Sequence, residues 1–558
     1  MTTYTPPVDD IAFALELVGA HRLGDVDTMV EVAAEFGRFC AQVIAPLNRM
    51  GDEHGAKYNP STSAVTTAPG WREAYAKYVD AGWNGVSFSP ETGGGGLPWL
   101  VTTAMQEEMN ASSMAFSLCP MLTQGAVHLL ETHASPEQRA RYLERLVSGE
   151  WTGTMNLTEP GAGSDVGALT TKAEPARDGT WRLRGQKIFI TYGEHDLTDQ
   201  IVHLVLARVP DAPPGTKGIS CFIVPKFLAD GSRNTVRCIG IEHKMGIHAS
   251  PTCTLEFDDA VGELIGEPNT GMRAMFTMMN YARLSVGVEG VGVAVRAYQD
   301  AVAYARERVQ TRVVGREPGA AIIEHPDVRR MLLQMRSHIE GMRLLAYRTA
   351  VAIDEGDSLG DLLTPLAKAW CTDMGSEVAR LATQVAGGMG YIRETGIEQH
   401  ERDVRIAAIY EGTNGIQAID LIGRKLDLDG GKTLAGVVSD MGETANALGG
   451  TEGERLAEIA SAVESGAEWL RAAYATDPRD ALGGATPYLR LLSTAVAGWL
   501  LGQQALKARA GAADDAFLAA KAATASFFLT QVVPTATALL PAVTSGAALL
   551  DTIPASSL

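Results

Sequence analysis

The chain alternates between two hydrophobic periods. From Asp10 to about Glu150 apolar positions recur at helical spacing: Ile11, Phe13, Ala14 and Leu17 share one face, and Val32, Phe36, Phe39, Cys40 and Ile44 share another. A turn-rich interval from Gly51 to Gly70 interrupts them, and Trp71 opens the next amphipathic helix. Four consecutive glycines, Gly93–Gly96, exclude a stable helix there. No GK[ST] tail follows, so we read a plain loop rather than a phosphate cradle. At Trp151 the period changes. Short β-branched runs at Ile201–Ala207, Ile219–Val224 and Thr252–Phe257 are separated by turn signals such as Pro213-Pro214-Gly215. No helix of crossover length lies between them, which argues against a dinucleotide βαβ fold. Helical spacing returns near Gly271 and predicts helices over Thr270–Arg312, His325–Ile353, Leu362–Ala386 and Glu411–Ile422, with Pro326 placed where its missing N–H costs nothing. Asp427–Gly431 reads as a linker. Leu434–Leu550 reads as an alanine-rich helical region for packing or assembly, broken at Ala513-Asp514-Asp515 and at Pro534. Its most apolar part, Val533–Leu550, is expected to be a buried helix pair too short to span a bilayer. The expected domains are 1–154 (helical), 155–270 (β), 271–425 (helical) and 432–558 (additional helical).

With 558 residues and 46% of them apolar, the chain has core enough for several domains. A formal net charge of -19 argues against a nucleic-acid or anionic-membrane binder. It leaves room for an anionic small ligand in a local basic pocket. Six scattered cysteines, with no CxxC pair and no metal-like cluster, lead us to expect reduced thiols, no metal site and a cytoplasmic location. Met1–Asp10 has neither a basic n-region nor an apolar h-region, so no secretory signal is expected.

Candidate chemistry gathers in a few stretches. Ile409-Tyr410-Glu411-Gly412-Thr413-Asn414-Gly415-Ile416-Gln417 sets one carboxylate after an apolar run, beside a glycine that permits close approach. Read plainly, it is a helix start capped by Thr413 or Asn414, with Glu411 exposed. A chemical role for Glu411 needs a cofactor site elsewhere in the chain for it to work against. Met155–Asp165 carries hydroxyls and glycines suited to bringing backbone N–H groups to anionic or heterocyclic oxygen; a solvent-exposed turn is the alternative. In Gly185–Thr191 a regular strand would put Phe189 and Thr191 on one face, a ring against a flat cofactor and a hydroxyl to donate to it. A core phenylalanine is the commoner explanation. Gly387 and Gly388 after Gln384 would let a pyrophosphate approach, or would simply cap a helix. Arg308 and Gln310, at a helix end, suit phosphate or solvent. This cluster of separate phosphate-friendly loops, with no Cys/His metal set and no Ser-His-Asp arrangement, points to a bound nucleotide cofactor used with one carboxylate.

Over roughly residues 35–425 the order and spacing of LTEPGAGSD (Leu157–Asp165), GQKIFIT (Gly185–Thr191), KMG with Ser250 (Lys244–Gly246), the Arg308/Gln310 pair, QVAGGMGY (Gln384–Tyr391), Arg402-Asp403 and IYEGTNGIQ (Ile409–Gln417) resemble the acyl-CoA dehydrogenase family of flavoproteins. The region after Gly423 is similar to the larger members, which append a helical domain and include enzymes for straight-chain and thioether acyl-CoAs. The resemblance implies a mainly α acyl-CoA dehydrogenase-like fold with a central β-barrel-like domain and an additional C-terminal helical domain. It further implies FAD-dependent α,β-dehydrogenation of an acyl-CoA thioester to the trans-2-enoyl-CoA, with electrons passed to an electron-transfer flavoprotein.

By position, Glu411 matches the base that removes the α-proton. A carboxylate desolvated in an apolar acyl pocket is raised towards the range of a useful base, and the Glu411 N–H would help bind the thioester carbonyl. Thr158 matches the residue at the flavin pyrimidine edge, Ser164 the one near the pyrophosphate, Phe189 the aromatic packed on the ring, and Thr191 the hydroxyl at N5. Met155, Leu157, Gly163 and Thr413 complete the implied flavin contacts. Arg308, Gln310, Gln384, Gly387 and Gly388 look like elements reaching a neighbouring subunit's FAD, which implies an obligate homodimer or dimer of dimers. Ser164, Asn280, Arg283 and Gly412 are the implied substrate-side residues. Met109, Leu118, Met155 and the helix around Met275 are expected to set pocket depth. Asn280 stands where shorter-chain members use Asp towards the CoA adenosine, and Gly415 replaces the usual Gln or Glu, so the CoA side departs more than the flavin side. Rival readings on the same scaffold are an oxygen-using acyl-CoA oxidase, a nitroalkane oxidase, which would have Asp as its base, and a DNA-associated member, which the acidic charge opposes.

Overall fold

The computed structural model describes residues 3–511 and 515–557. Of the expected break at Ala513-Asp514-Asp515, the first two residues lie outside these; the Asp515 carboxylate caps the Ala516–Phe527 helix by accepting from the Phe517 and Leu518 N–H groups at 2.8 and 3.2 Å. The chain divides into two compact units, Glu35–Thr102 with Glu108–Ser285, and Met1–Ala34 with Thr103–Glu107 and Val286–Leu558.

The first unit holds the strands. β1 (Lys57–Asn59) and β2 (Ala64–Thr66) form a short hairpin. The larger sheet takes β3 (Thr152–Asn156), β4 (Lys172–Pro175), β5 (Trp181–Thr191), β6 (Ile201–Ala207), β7 (Ser220–Pro225), β8 (Val236–Ile241) and β9 (Thr252–Ile265) in the order β3-β6-β7-β9-β5-β4, with β8 also on β9. Among the described strands β3 and β6 pair in parallel, and the other ladders are antiparallel. β6 and β7 are buried at every position, the reason their sequences read as unbroken apolar runs. β9 exceeds its expected Thr252–Phe257 core because it serves two partnerships: its first part pairs with β5 and β8, its last with β7. Leu183, Val205, Phe222, Val236, Leu255 and Phe257 from these strands fill one core. The glycine run is a loop, as expected. Its Gly94, Gly95 and Gly96 N–H groups donate to the Ser89, Gly85 and Phe88 carbonyls, and a Cβ at Gly94 would lie 2.2 Å from the Phe88 oxygen.

The second unit is helical. Its helices Pro326–Asp354 and Ser358–Ala386 match the expected spans, and the Gly271–Glu307 helix enters it from Val286 onward. Where that helix meets Ser358–Ala386 the backbones touch. A Cβ would come within 2.2 Å of the Cys371 carbonyl at Gly290, 2.8 Å of Ala367 at Gly287, and 2.7 Å of Gly290 at Gly375. Asp427–Gly431, expected as a linker, forms a turn that side chains hold. Asp429, Gly430 and Gly431 are left-handed in succession, and Arg471 donates to Asp427 at 2.9 Å and to the Leu426 carbonyl at 2.7 Å. The expected buried pair at Val533–Leu550 is instead two short turns of helix, Val533–Thr537 and Leu540–Val543, followed by exposed Leu549 and Leu550. By length and composition alone, the helical run Ala516–Val543 is apolar enough to cross a membrane, and a third of its most apolar window is buried.

Buried charge ties the C-terminal helices to the rest of this unit. Lys521 sits 2.5 Å from Asp10 and 3.3 Å from Glu340, whose other oxygen accepts from Gln504 at 2.6 Å. Arg343 donates through two nitrogens to Glu107, which also accepts from the Tyr347 hydroxyl at 2.9 Å.

Candidate active site

Glu411 sits in a turn built by its neighbours, outside the helix expected over Glu411–Ile422, which starts at Asn414 and continues past Asp420 as a wider turn over Leu421–Lys425. Thr413 is the cap: its hydroxyl accepts from the Ile416 N–H at 3.2 Å. Upstream, Glu411 and Gly412 both have left-handed backbones, with φ of 56° and 83°. For a glutamate that conformation is disfavoured, and such strain persists only where surroundings impose it. Here anchors lie on either side. Tyr410 donates its hydroxyl to Glu289 at 2.5 Å. Asn414 accepts from Lys368 at 2.9 Å and donates to the Ala369 carbonyl, the Thr372 hydroxyl and Asp373 at 3.1, 3.1 and 2.7 Å. The Gln417 amide donates to the Glu411 and Gly412 carbonyls at 3.5 and 3.2 Å. Glu411 itself is half-buried.

Sequence reasoning missed Glu289 and Lys368, both fully buried. Each is a lone charge in an apolar run, Ser285–Val295 and Leu362–Cys371, and that is the signal that would have found them. Burial raises the Glu289 carboxyl to about 8; Tyr410 and Lys368 pull it down, and the Glu411 charge pushes it up. The Tyr410 phenol is likewise driven well above its ordinary value by burial and by Glu289.

In the other unit Met155, Leu157, Thr158, Gly163 and Ser164 lie on β3 and the loop after it. That loop hangs on Glu159. Its carboxylate takes the Thr170 N–H and hydroxyl at 2.6 and 2.7 Å, the Thr171 N–H at 3.0 Å and the Lys187 ammonium at 2.8 Å. Lys187 also donates to the Leu157 carbonyl at 2.9 Å, and the Ile188 N–H to the Thr158 carbonyl at 2.9 Å. Burial opposes the Glu159 charge, but Lys187 and these donors overcome it and hold the carboxyl at about 2. Cβ atoms added at Gly161 and Gly163 would meet nothing within 4 Å, so the loop backbone faces open space.

The regular alternation assumed for Phe189 and Thr191 is interrupted. Lys187 pairs with Leu255 but Ile190 pairs with Cys253, so β5 carries an extra residue against β9, and Phe189 takes φ 59°. Its ring is 58% exposed, which excludes the core explanation, while Thr191 is half-buried. Arg283 is buried and Asn280 exposed on the Gly271–Glu307 helix. Of the residues expected to set pocket depth, Met109, Leu118 and Met275 are packed into the interior and Met155 is half-buried.

Arg308 donates to Gln310 at 3.1 Å at the exposed end of Gly271–Glu307. Gln384, Gly387 and Gly388 are exposed where Ser358–Ala386 ends; Gly387 (φ 61°) is its C-cap, and Met389 and Tyr391 beyond it are exposed too.

Four family descriptions match successive parts of the chain: acyl-CoA dehydrogenase N-terminal domain (27–150), middle domain (154–260) and C-terminal domain (269–426), then acetyl-CoA dehydrogenase C-terminal like (435–554). The 3-methylmercaptopropionyl-CoA dehydrogenase of Ruegeria pomeroyi is 46% identical over 95% of this chain and 96% of its own length. The broad-specificity linear acyl-CoA dehydrogenase FadE5 of Mycobacterium tuberculosis is 33% identical over 96% of each. In fold, Caenorhabditis elegans ACDH-11 superposes with a TM-score of 0.79 at 20% identity, over 99% of this chain and 96% of that one. Sequence and fold therefore agree over nearly the whole length, and the chain belongs to the acyl-CoA dehydrogenase family, in its larger form with the additional C-terminal domain.

Proposed function

We propose that Glu411 is the general base of an FAD-dependent acyl-CoA dehydrogenase, removing the α-proton of an acyl-CoA thioester on the way to the trans-2-enoyl-CoA. One observation carries this assignment: Glu411 is the half-buried carboxylate that the anchors on Tyr410, Asn414 and Gln417 hold in a disfavoured left-handed turn. Strain of that kind is retained where geometry serves a function. Gly412 keeps the approach to Glu411 unobstructed.

The residues present fit FAD. A flat ring system needs an exposed aromatic face, and Phe189 offers one from a bulge that holds it out. Pyrophosphate needs close approach to backbone, and Gly161, Gly163, Gly387 and Gly388 carry no side chain and have open space where a Cβ would stand. We assign Thr158, Phe189 and Thr191 to the ring and Ser164 to the pyrophosphate. Arg308, Gln310 and Gln384–Gly388 would serve the FAD of a second copy, making the enzyme a homo-oligomer. When bound, FAD supplies the acceptor for the hydrogen and electron pair leaving the β-carbon. An electron-transfer flavoprotein is the proposed onward acceptor. Six buried, unpaired cysteines support a cytoplasmic setting.

Glu411→Gln tests the base. The variant is expected to keep its yellow FAD and to lose anaerobic bleaching by acyl-CoA by about 10²–10⁴-fold or more, since an amide accepts no proton at this step. Bleaching at the wild-type rate would overturn the assignment. Turnover in air without another acceptor would favour the oxidase instead.

A further inference from the structure

Glu289 is a second carboxyl directly behind the residue that precedes the base. It lies on Gly271–Glu307, wholly buried, in the layer where Gly287, Gly290 and Gly375 bring two helix backbones into contact. One oxygen accepts from Tyr410 at 2.5 Å; the other has no hydrogen-bond partner among the described residues. A carboxyl so placed is costly unless it does something, because a well-packed apolar residue would avoid its desolvation. The titratable groups facing it are Lys368 from the Ser358–Ala386 helix and Tyr410 and Glu411 from the turn. Further along its own helix, Arg296 is engaged with Asp300 at 3.5 Å.

We propose that Glu289 is a positioning residue for Glu411: through Tyr410 it holds the turn, and its charge state sets how strong a base Glu411 is. The inference rests on the reading of Glu411 as the base. Raised to about 8 by burial, Glu289 is mostly neutral at pH 7 and ionised at pH 9. Its ionisation places a negative charge near Glu411, destabilises the Glu411 carboxylate and makes it the stronger base.

The test is the pH dependence of anaerobic flavin bleaching by a saturating acyl-CoA, joined to an infrared titration of the protonated-carboxyl band. In the wild type we expect a rate increase of about threefold between pH 7 and 9, as the ionised Glu289 makes Glu411 the stronger base. The carboxyl band should fade over the same interval, with and without FAD. Glu289→Gln, which keeps an acceptor for Tyr410, should lose both the rate step and the band, with kcat altered and KM unchanged. Glu289→Asp should restore a titrating step. Tyr410→Phe should move the step to higher pH, because the Tyr410 hydrogen bond favours the ionised carboxyl; this variant also decides the matter if Glu289→Gln fails to fold. A rate profile and band that are the same in the wild type and these variants would overturn the proposal. Glu411→Gln measured alongside separates the outcomes. If it is dead while Glu289→Gln is unchanged, only the role of Glu289 falls; if it bleaches normally, the base assignment itself falls.

Discussion

Glu159 stands one residue from Thr158, and its four hydrogen-bond donors make the loop beside the proposed flavin edge a fixed object. Lys187, with no exposed surface, has Glu159 as its ion-pair partner. Glu159→Gln leaves that ammonium buried against an amide, and breaking a buried pair from one side costs about 3–5 kcal/mol. The variant should show that loss as a lowered urea midpoint at pH 7. The pH dependence has a definite sign. The folded carboxyl lies near 2, below its ordinary 4.5, so its contribution is complete above 4.5 and disappears as pH falls towards 2. The gap between wild type and Glu159→Gln should close across that interval. A gap that stays constant down to pH 2 would mean the pair contributes nothing through charge.

Among elements, β5 departs from its own pattern at the place where function is proposed. Its bulge turns Phe189 into a left-handed, outward-facing residue, which costs about 1–2 kcal/mol for a side chain that glycine would not incur. Phe189→Gly should therefore leave the melting temperature of the FAD-free protein unchanged or slightly higher, the relief being offset in part by about 0.5–1 kcal/mol of added chain entropy. The same change should weaken FAD binding by at least about tenfold, as expected on losing an aromatic contact of about 1.5 kcal/mol. Calorimetric titration with FAD and melting of the FAD-free protein read the two effects separately. A variant that loses stability and keeps its FAD affinity would make Phe189 a structural residue.

For the whole molecule, the question is why the extra C-terminal helices stay in place. Lys521 comes from Ala516–Phe527 and meets Asp10 from the N-terminal helix Val8–Val18 and Glu340 from Pro326–Asp354. These three elements are far apart in sequence, and the ammonium is 2% exposed. Burial opposes the Asp10 charge, but Lys521 keeps that carboxyl below its ordinary value. Lys521→Ala takes the ammonium from Asp10 but leaves Glu340 its contacts to Arg336 and Gln504, and we expect it to lower the thermal midpoint by the equivalent of about 1.5–3 kcal/mol. Proteolysis should then begin within residues 432–558 before the other helices are cut. Simultaneous cleavage throughout would show that the C-terminal helices are not separately anchored by this contact.

Periodicity and motif order alone determined the helical, β, helical, helical succession, the three β-branched strand runs, a helix cap at Thr413 or Asn414 and the family to which the chain belongs. Each of these is a local pattern: helix and strand periods and turn residues depend on neighbours within a few positions. What only the tertiary structure decided depends on residues remote in sequence. The Tyr410–Glu289 bond joins positions 121 residues apart, and the close helix crossing is visible only once Gly290 and Cys371 meet. The β5 bulge is set by its register against β9, so no alternation within Gly185–Thr191 reveals it. The turn at Asp427 is held from afar, because Arg471 reaches back 44 residues to it. Composition marked Val533–Leu550 as interior, yet burial is a property of what packs against a segment, and Leu549 and Leu550 remain outside.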